Sequence, residues 1–583
     1  MCGIVGYIGN NEAVSYLLSG LQKLEYRGYD SCGIALKKDK IKIFKSVGKI
    51  KNLTNLIDEN QRSNIGIGHT RWATHGIPNV SNCHPHISYQ KNFVLVHNGI
   101  IENYQEIKNK YLKDIPLYSS TDTEVIVNLI EVLYQDNVLS TLKEIKKIIK
   151  GSYALVIIHH QEDKLYFMKN QTPLTIGHNL DEFFLSSDSI SFPSFINQQI
   201  ILDDGDYGYV DYTSINIYDS NNDKKDIVYK DIIRDEELIN QKTFSHHMEK
   251  EIHDQPLMID KLIKLYFNGD KLNIPTSIIN NIHSSNTIYL VGCGSSYYSA
   301  NMGKYFLEKY LHKQFQVILA SEAIYQLPLL SKNPYFIFLS QSGETLDVIN
   351  LIKQIKKLNI KTLAITNSIN SSITHLCDES LFIQAGREIS VASTKAFLGQ
   401  TLLLLILANN NCKNDLINLK KEIINLLDNL DIIKQISKTL TNYKDVFYLG
   451  RNIDYNIALE ASLKLKEISY IHAEAFPAGE LKHGTLALID NNVAVISLIS
   501  QENISSIMRT NIMETSSRGA KTIVISSNNV SHNSDDLTLN YINEDLSHLL
   551  ILVSTQLIAY YTSLYKGNEI DTPRNLAKSV TVE

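Results

Sequence analysis

The 583-residue sequence predicts an α+β domain followed by two doubly wound α/β domains with parallel sheets. Three observations lead there. Up to about Tyr212, short strands are mixed with helices; from about residue 240, strand and helix alternate; and the alternating part repeats itself, with three strands at comparable intervals in each copy. The expected domains are residues 1–240, 241–420 and 421–583.

In the first part, GIVGYIG from Gly3, GIALKK from Gly33, FVLVHNG from Phe93 and YALVIIHH from Tyr153 read as strands from their aliphatic and β-branched content. Leu17, Leu18, Leu21 and Leu24 recur at helical spacing. Polar DSNNDKKD at Asp219–Asp226 leads to the boundary, and a helical charge pattern begins near His246. In the second part, TIYLVGCGSS, PYFIFLSQSGET and KTLAITNS are strands ending in small polar residues. VFYLGRN, VAVISLISQEN and KTIVISSN repeat that order, but only the first copy has dense Ser/Thr/Gly loops.

Composition narrows the function. Hydrophobic residues make up 44% and charged residues 20%, as in ordinary globular proteins. The 56 Lys plus Arg against 62 Asp plus Glu leave a net charge of -6 with no long run of one sign, which argues against nucleic acid or an anionic membrane as partner. Cys2, Cys32, Cys83, Cys293, Cys377 and Cys412 form no C-x-x-C pair, which predicts neither zinc nor a disulfide scaffold and fits a reducing cytoplasm. MCGIVGYIGNNEAV has no basic leader, and the apolar stretch at Leu402–Ala408 is far short of the roughly 20 residues that span a bilayer. His159/His160, His246/His247 and His84-Pro85-His86 lack acidic or cysteine partners at ligand spacing, so surface or hydrogen-bonded histidines are expected and no metal.

Cys2 is the first chemical clue. Removal of the initiator Met would leave a thiol and a free α-amino group on one residue, a nucleophile with a base built in; position alone favours a buried or incidental cysteine at a frayed end. Three segments favour the nucleophile. GHTRWATHG supplies Arg71, a planar fork for a carboxylate; HNGIIEN supplies Asn98 and Gly99, an amide and a backbone N–H for an oxyanion; STDTE supplies Asp122 for an ammonium. Together they would hold both ends of a free amino acid.

These segments, with LEYRGYDSCG, resemble the N-terminal-nucleophile glutamine amidotransferases, and over essentially the whole chain the sequence resembles the glutamine:fructose-6-phosphate aminotransferase (isomerising) family. The resemblance implies an αββα glutaminase domain, with Cys2 attacking the glutamine amide, Arg71 and Asp122 holding the substrate's carboxylate and amino group, and Asn98 with Gly99 forming the oxyanion hole. Thr74 and His75 would line the pocket, and Trp72 would be the gate of an ammonia channel, against the plain alternative of a core aromatic. Cys32 departs from the family's small residue and reads as a core exchange.

In the second half, GCGSS (Gly292–Ser296) and SQSGET (Ser340–Thr345) each follow an apolar strand, where backbone N–H groups and hydroxyls at a helix start suit phosphate without Lys or Arg. Neither ends in Gly-Lys-Ser/Thr, so ATP use has no support. The pattern resembles the sugar isomerase (SIS) domain, which implies a sugar phosphate on Ser295, Ser296, Ser340, Gln341, Ser342 and Thr345, and, through REISVASTKAF, on Val391 and Ser393. Glu460, Lys464 and Glu467 share a helix face, a pattern that alone reads as a solvated salt-bridge stripe. EAFPAGELKHG reads as a loop carrying His483, and the chain closes on DTPRNLAKSVTVE.

Through these segments the resemblance implies that Lys578 forms a Schiff base with open-chain fructose 6-phosphate and that Glu467 moves a proton between C1 and C2. His483 would assist ring opening, and Lys464 with Glu460 would complete the site. Thr485, where the family has Pro, predicts a local change beside His483. The implied enzyme makes D-glucosamine 6-phosphate and L-glutamate from D-fructose 6-phosphate and L-glutamine, the first step of hexosamine biosynthesis. It would be a cytoplasmic homodimer without cofactor, with His483 crossing to the neighbour's site. Two rivals are another amidotransferase, using a phosphoribosyl or nucleotide acceptor, and a sugar-phosphate-sensing protein built on SIS domains.

Overall fold

A computed structural model describes residues 2–58, 60–72, 76–232 and 243–580. The chain forms two compact units, one reaching to Arg234 and the other spanning Asp235–Lys578.

The first unit has four layers. An eight-stranded antiparallel sheet has Gly3–Ile8 between Glu182–Ser186 and Ile65–Arg71. A six-stranded sheet is centred on Phe93–Ile101, Gly151–His159 and Leu165–Asn170. The strands run apolar on both faces because both faces are covered. Ile4 and Ile8 join Val94, Val96, Ala154 and Val156 in a core between the sheets. The alternate residues Val5 and Tyr7 pack with Leu17, Leu21 and Leu24 of helix Ala13–Leu24, and Phe93, Leu95, Leu155 and Ile157 pack under helices Asp122–Leu133 and Val138–Ile148. This period-two division gives the predicted αββα order.

The second unit holds two parallel five-stranded sheets of identical topology. In order across the sheet they are Phe315–Leu319, Thr287–Gly292, Pro334–Ser340, Thr362–Thr366 and Glu379–Phe382, and His472–Pro477, Asp445–Gly450, Val493–Ile499, Lys521–Ser527 and Leu537–Leu539. In each the first strand in sequence lies between the second and the third, a topological switch point. Beyond the three strands expected in each copy there are two more, and both lie at the sheet's edges. His472–Pro477 corrects the expectation of a loop in EAFPAGELKHG: it pairs in parallel with Asp445–Gly450, and an edge strand tolerates Pro477 at its end.

One continuous apolar core runs through both sheets' helices, from Met248 to Ile570. Helix Lys395–Ala408 is buried all round and packs against Ser295–Leu311. Among the described residues no helix is long and apolar enough to cross a membrane.

Candidate active sites

The N-terminal site is built where Gly3–Ile8 and Ile65–Arg71 begin and end. The half-buried Cys2 Sγ lies 3.4 Å from the Trp72 N–H that donates to it, and donates to the Trp72 carbonyl at 3.5 Å. Burial pushes the Cys2 thiol up, with the Trp72 hydrogen bond and Arg71 acting against it. Asn98 Nδ2 donates to the Cys2 carbonyl at 3.0 Å. The Asn98 amide is oriented by His69, whose Nε2 lies 3.0 Å from Asn98 Oδ1 and 2.9 Å from the His97 carbonyl. Gly99 has φ 122, and a Cβ there would sit 2.1 Å from the Ser152 carbonyl oxygen, so only glycine fits beside Asn98.

Asp122 starts helix Asp122–Leu133 behind the N-cap Thr121, whose hydroxyl accepts from the Glu124 N–H, while Glu124 accepts from Tyr118 and Ser119. Its carboxylate accepts the Ile101 N–H at 2.9 Å. Arg71 Nη2 donates to the Gly76 carbonyl at 3.1 Å. Trp72 is half-buried rather than a core aromatic. Thr74 and His75 lie outside the described residues. Cys32 is buried among aliphatic residues and its thiol is pushed up to about 12 by burial, as a core exchange requires.

His84 and His86, expected on the surface or hydrogen-bonded, are buried and hydrogen-bonded around this site, together with His69, which no pattern singles out. His69 stacks on His84 with centroids 4.1 Å apart, and His84 lies 5.0 Å from His86. Burial lowers His69 to about 3 and holds His84 and His86 well below the ordinary range. The unfolded chain binds these protons below about pH 6.5 and the folded unit refuses them, so stability is complete above that pH and falls as acid is added. We expect a loss of about 1.4 kcal/mol per histidine per pH unit below that point. Calorimetric unfolding of the first unit between about pH 7 and 5 checks this; a flat melting temperature contradicts it.

His159, by contrast, is buried against Phe93 with ring centroids 4.7 Å apart and lies 3.4 Å from Glu162. No group of three or more His, Cys, Asp or Glu among the described residues is placed to hold a metal ion.

The second site lies at the switch point of the first parallel sheet, between strands Thr287–Gly292 and Pro334–Ser340. GCGSS opens helix Ser295–Leu311 behind Gly294, φ 54, and SQSGET precedes helix Leu346–Lys357. Ser340 Oγ contacts Thr345 Oγ1 at 2.9 Å and accepts the Gly343 N–H at 3.0 Å. Ser342 Oγ accepts the Glu344 N–H at 3.1 Å, and the Gln341 carbonyl accepts from Asn367. Gln400 donates to Ser296 Oγ at 3.1 Å, a partner that no motif announced. The result is a neutral cradle of hydroxyls and amides, suited to an anion by dipoles.

Helix Ile453–Ser469 from the second half reaches this turn. Ser295 Oγ donates to Glu460 at 3.0 Å and accepts from Lys464 at 3.1 Å; Lys464 Nζ lies 3.4 Å from Glu460 and 2.6 Å from Glu467. The solvated-stripe reading is therefore overturned, since the Glu460 and Lys464 side chains are 0% and 1% exposed. Burial raises Glu460 to about 7. Burial acts against the Lys464 charge, but Glu460 and Glu467 outweigh it and hold the ammonium above its ordinary range.

The second copy explains its own lack of a polar cradle. Asn452, φ 53, stands where Gly294 stands, and two residues on, where the first copy has Ser296, is Asp454. The buried Asp454 carboxylate accepts the Ser500 N–H at 2.8 Å and its hydroxyl at 2.5 Å, so a side chain of the protein itself takes up the donors.

Lys578 is 4% exposed and its Nζ lies 2.5 Å from Glu388 Oε2. Glu388 sits in REISVASTKAF, three residues before Val391, and accepts from Ser393 Oγ at 2.9 Å and from the Thr394 and Ala396 N–H groups at 3.0 Å each. The buried Val391 is tied by its N–H to the Asp571 carbonyl at 3.0 Å. Both carried-over residues thus also fasten the tail that bears Lys578. His483 ends the turn Ala478–His483 and is exposed; no hydrogen bond or ion pair among the described residues joins it to Glu467 or Lys464.

Comparison with known proteins agrees with this architecture. Residues 69–193 match the glutamine amidotransferase domain, and residues 281–410 and 439–565 each match the SIS domain. The class is therefore a glutamine amidotransferase domain joined to a pair of SIS domains. Glutamine–fructose-6-phosphate aminotransferase (isomerizing) of Geobacillus kaustophilus is 42% identical, and that of Bacillus subtilis 41%, each with 100% of both chains covered. The C-terminal domain of glucosamine-fructose-6-phosphate aminotransferase from Francisella tularensis superimposes with TM-score 0.54 at 32% identity, covering 57% of this chain and all of that one. Tagatose-6-phosphate ketose/aldose isomerase of Escherichia coli, TM-score 0.50 and 16% identity over 58% of this chain and 97% of that one, shares the fold. The chain belongs to the glutamine–fructose-6-phosphate aminotransferase (isomerizing) family.

Proposed function

We propose that the protein converts D-fructose 6-phosphate and L-glutamine into D-glucosamine 6-phosphate and L-glutamate, the first step of hexosamine biosynthesis. One observation carries the reading beyond family membership: Lys578, its side chain buried, shares one compact unit with a neutral anion cradle and a stripe of buried Glu460 and Lys464 with half-buried Glu467. Residues 1–240 would be the glutaminase domain, 241–420 the SIS domain that binds the sugar phosphate, and 421–583 the SIS domain with the catalytic tail.

In the first half-reaction, Cys2, freed of Met1, attacks the amide carbon of glutamine; Asn98 Nδ2 and the Gly99 N–H receive the oxyanion. Arg71 and Asp122 hold the two ends of glutamine, and Thr74 and His75 line its pocket. Ammonia leaves past Trp72, shielded from water that would protonate it. In the second, the hydroxyls of Ser295, Ser296, Ser340, Ser342 and Thr345, with Gln341, Val391 and Ser393, hold the sugar phosphate. Lys578 forms a Schiff base at C2, and Glu467, positioned by Lys464 and Glu460, carries the proton between C1 and C2. His483 assists ring opening across a homodimer, a role that its exposure leaves it available for. None of these steps calls for a metal, nucleotide or pyridoxal group. A cytoplasmic setting is supported by six free cysteines.

Incubating the purified protein with both substrates and assaying glucosamine 6-phosphate tests the reading. A phosphoribosyl or nucleotide amidotransferase, or a sugar-phosphate sensor, forms none. Asn98→Ala should lower the glutaminase rate by about 100- to 1000-fold, the usual cost of one oxyanion donor, while synthesis from added ammonium chloride is kept. An unchanged glutaminase kcat contradicts the role given to Asn98.

A further inference from the structure

Lys578 poses a problem that the reaction must solve. A Schiff base needs a neutral amine, yet its Nζ is held 2.5 Å from a carboxylate, and the two side chains are 4% and 0% exposed, so water is not at hand to take a proton. Glu388 is the one hydrogen-bond acceptor of that ammonium among the described residues.

We propose that Glu388 is the proton acceptor and donor for Lys578 during imine formation. The inference rests on the Schiff-base reading above. Glu388 Oε2 takes one proton from the ammonium; the freed nitrogen pair bonds to C2, and the C2–O π pair moves to oxygen, which receives that proton. Glu388 then takes the second proton from nitrogen and delivers it to the hydroxyl, which leaves as water while the nitrogen pair closes the C=N bond. An ammonium and a ketone become an iminium and water, with the charge unchanged and Glu388 again a carboxylate beside the new cation.

The surroundings fit this shuttle. Ser393 Oγ and the Thr394 and Ala396 N–H groups fix the carboxylate, so it does not drift as its partner changes charge. Besides Lys578, two charged groups on other elements feel its charge: Glu251 from helix His247–His253 and Lys464 from helix Ile453–Ser469; Lys395, at the start of helix Lys395–Ala408, faces Glu251 and pairs with Asp254. Burial works to raise Glu388, and it is chiefly the Lys578 charge that holds it low. Once Lys578 gives up its proton, burial and the neighbouring Glu251 favour the neutral acid, so the transferred state is accessible in a dry pocket.

The test uses the full-length protein, D-fructose 6-phosphate and sodium borohydride, with the reduced adduct on Lys578 followed by mass spectrometry. In the wild type, adduct formation is flat from about pH 6.5 to 9, because the proton acceptor is internal. Glu388→Gln should slow it about 100-fold near neutral pH, Glu388→Asp should restore part of the rate, and the rate of the Gln variant should climb with pH because hydroxide or buffer base must then take the proton. Unaltered fructose 6-phosphate binding by calorimetry shows that the variant's cradle is intact. The inference is overturned if Glu388→Gln forms the adduct at the wild-type rate, or if the wild-type rate itself climbs tenfold per pH unit, a result that needs no variant. If the wild type forms no adduct on Lys578, it is the Schiff-base reading that fails.

Discussion

Replacing Cys2 by Ala should abolish glutamine-dependent synthesis and leave ammonia-dependent synthesis in place. The thiol is the nucleophile proposed for the amide, so its loss should remove the covalent path, and the glutaminase rate should fall by at least about 1000-fold, in line with removal of a nucleophile that acts as a unit with its base and oxyanion hole. Among the described residues the Cys2 side chain donates only to the Trp72 carbonyl and accepts only from its N–H, so little of the fold depends on it. Paired assays, glutamate from glutamine and amino sugar from ammonium chloride, check the outcome. Equal loss of both activities would mean that Cys2 supports the fold rather than the chemistry.

The second large effect is the mirror image. Lys578→Ala removes the amine proposed to activate C2, and synthesis should fall by at least about 1000-fold with either glutamine or ammonia as nitrogen source. Glutaminase activity continues, because Cys2, Asn98 and Asp122 belong to the other compact unit. The substitution also leaves Glu388 as a buried carboxylate without its cation, at a cost of about 3–5 kcal/mol. A thermal scan of the variant should therefore show the second unit destabilised. Lys578→Arg keeps a cation beside Glu388 but offers no amine that forms a Schiff base, so it should give the same loss of synthesis without the unpaired carboxylate, which separates chemistry from stability. Amino sugar made at the wild-type rate by either variant would remove Lys578 from the mechanism.

How legible all this was differs between the two sites. Motifs close in sequence to their structural role could be read directly: Asn98 and Gly99 are neighbours on one strand, and GCGSS and SQSGET sit where a strand becomes a helix. Strands apolar on both faces, such as Phe93–Ile101, were readable because burial on two sides leaves no polar alternation to confuse. The misses are long-range. Nothing local tells that Glu388 will meet a lysine 190 residues away, although an acidic residue directly before the uncharged run ISVAS is a signal. Glu460 and Lys464 looked solvated because helical spacing cannot say what covers a face; Ser295, 165 residues before Glu460, does. His69 was hidden inside a motif already assigned through Arg71. The short strand Glu379–Phe382 carries too few residues for a period-two pattern to show.

The central claim is that one chain moves nitrogen from the glutamine amide to carbon 2 of the sugar. The most direct measurement supplies glutamine labelled with nitrogen-15 in the amide, together with fructose 6-phosphate, and follows both products by mass spectrometry. The account predicts labelled glucosamine 6-phosphate formed in step with glutamate. Glutamate released with no label entering an amino sugar would contradict it.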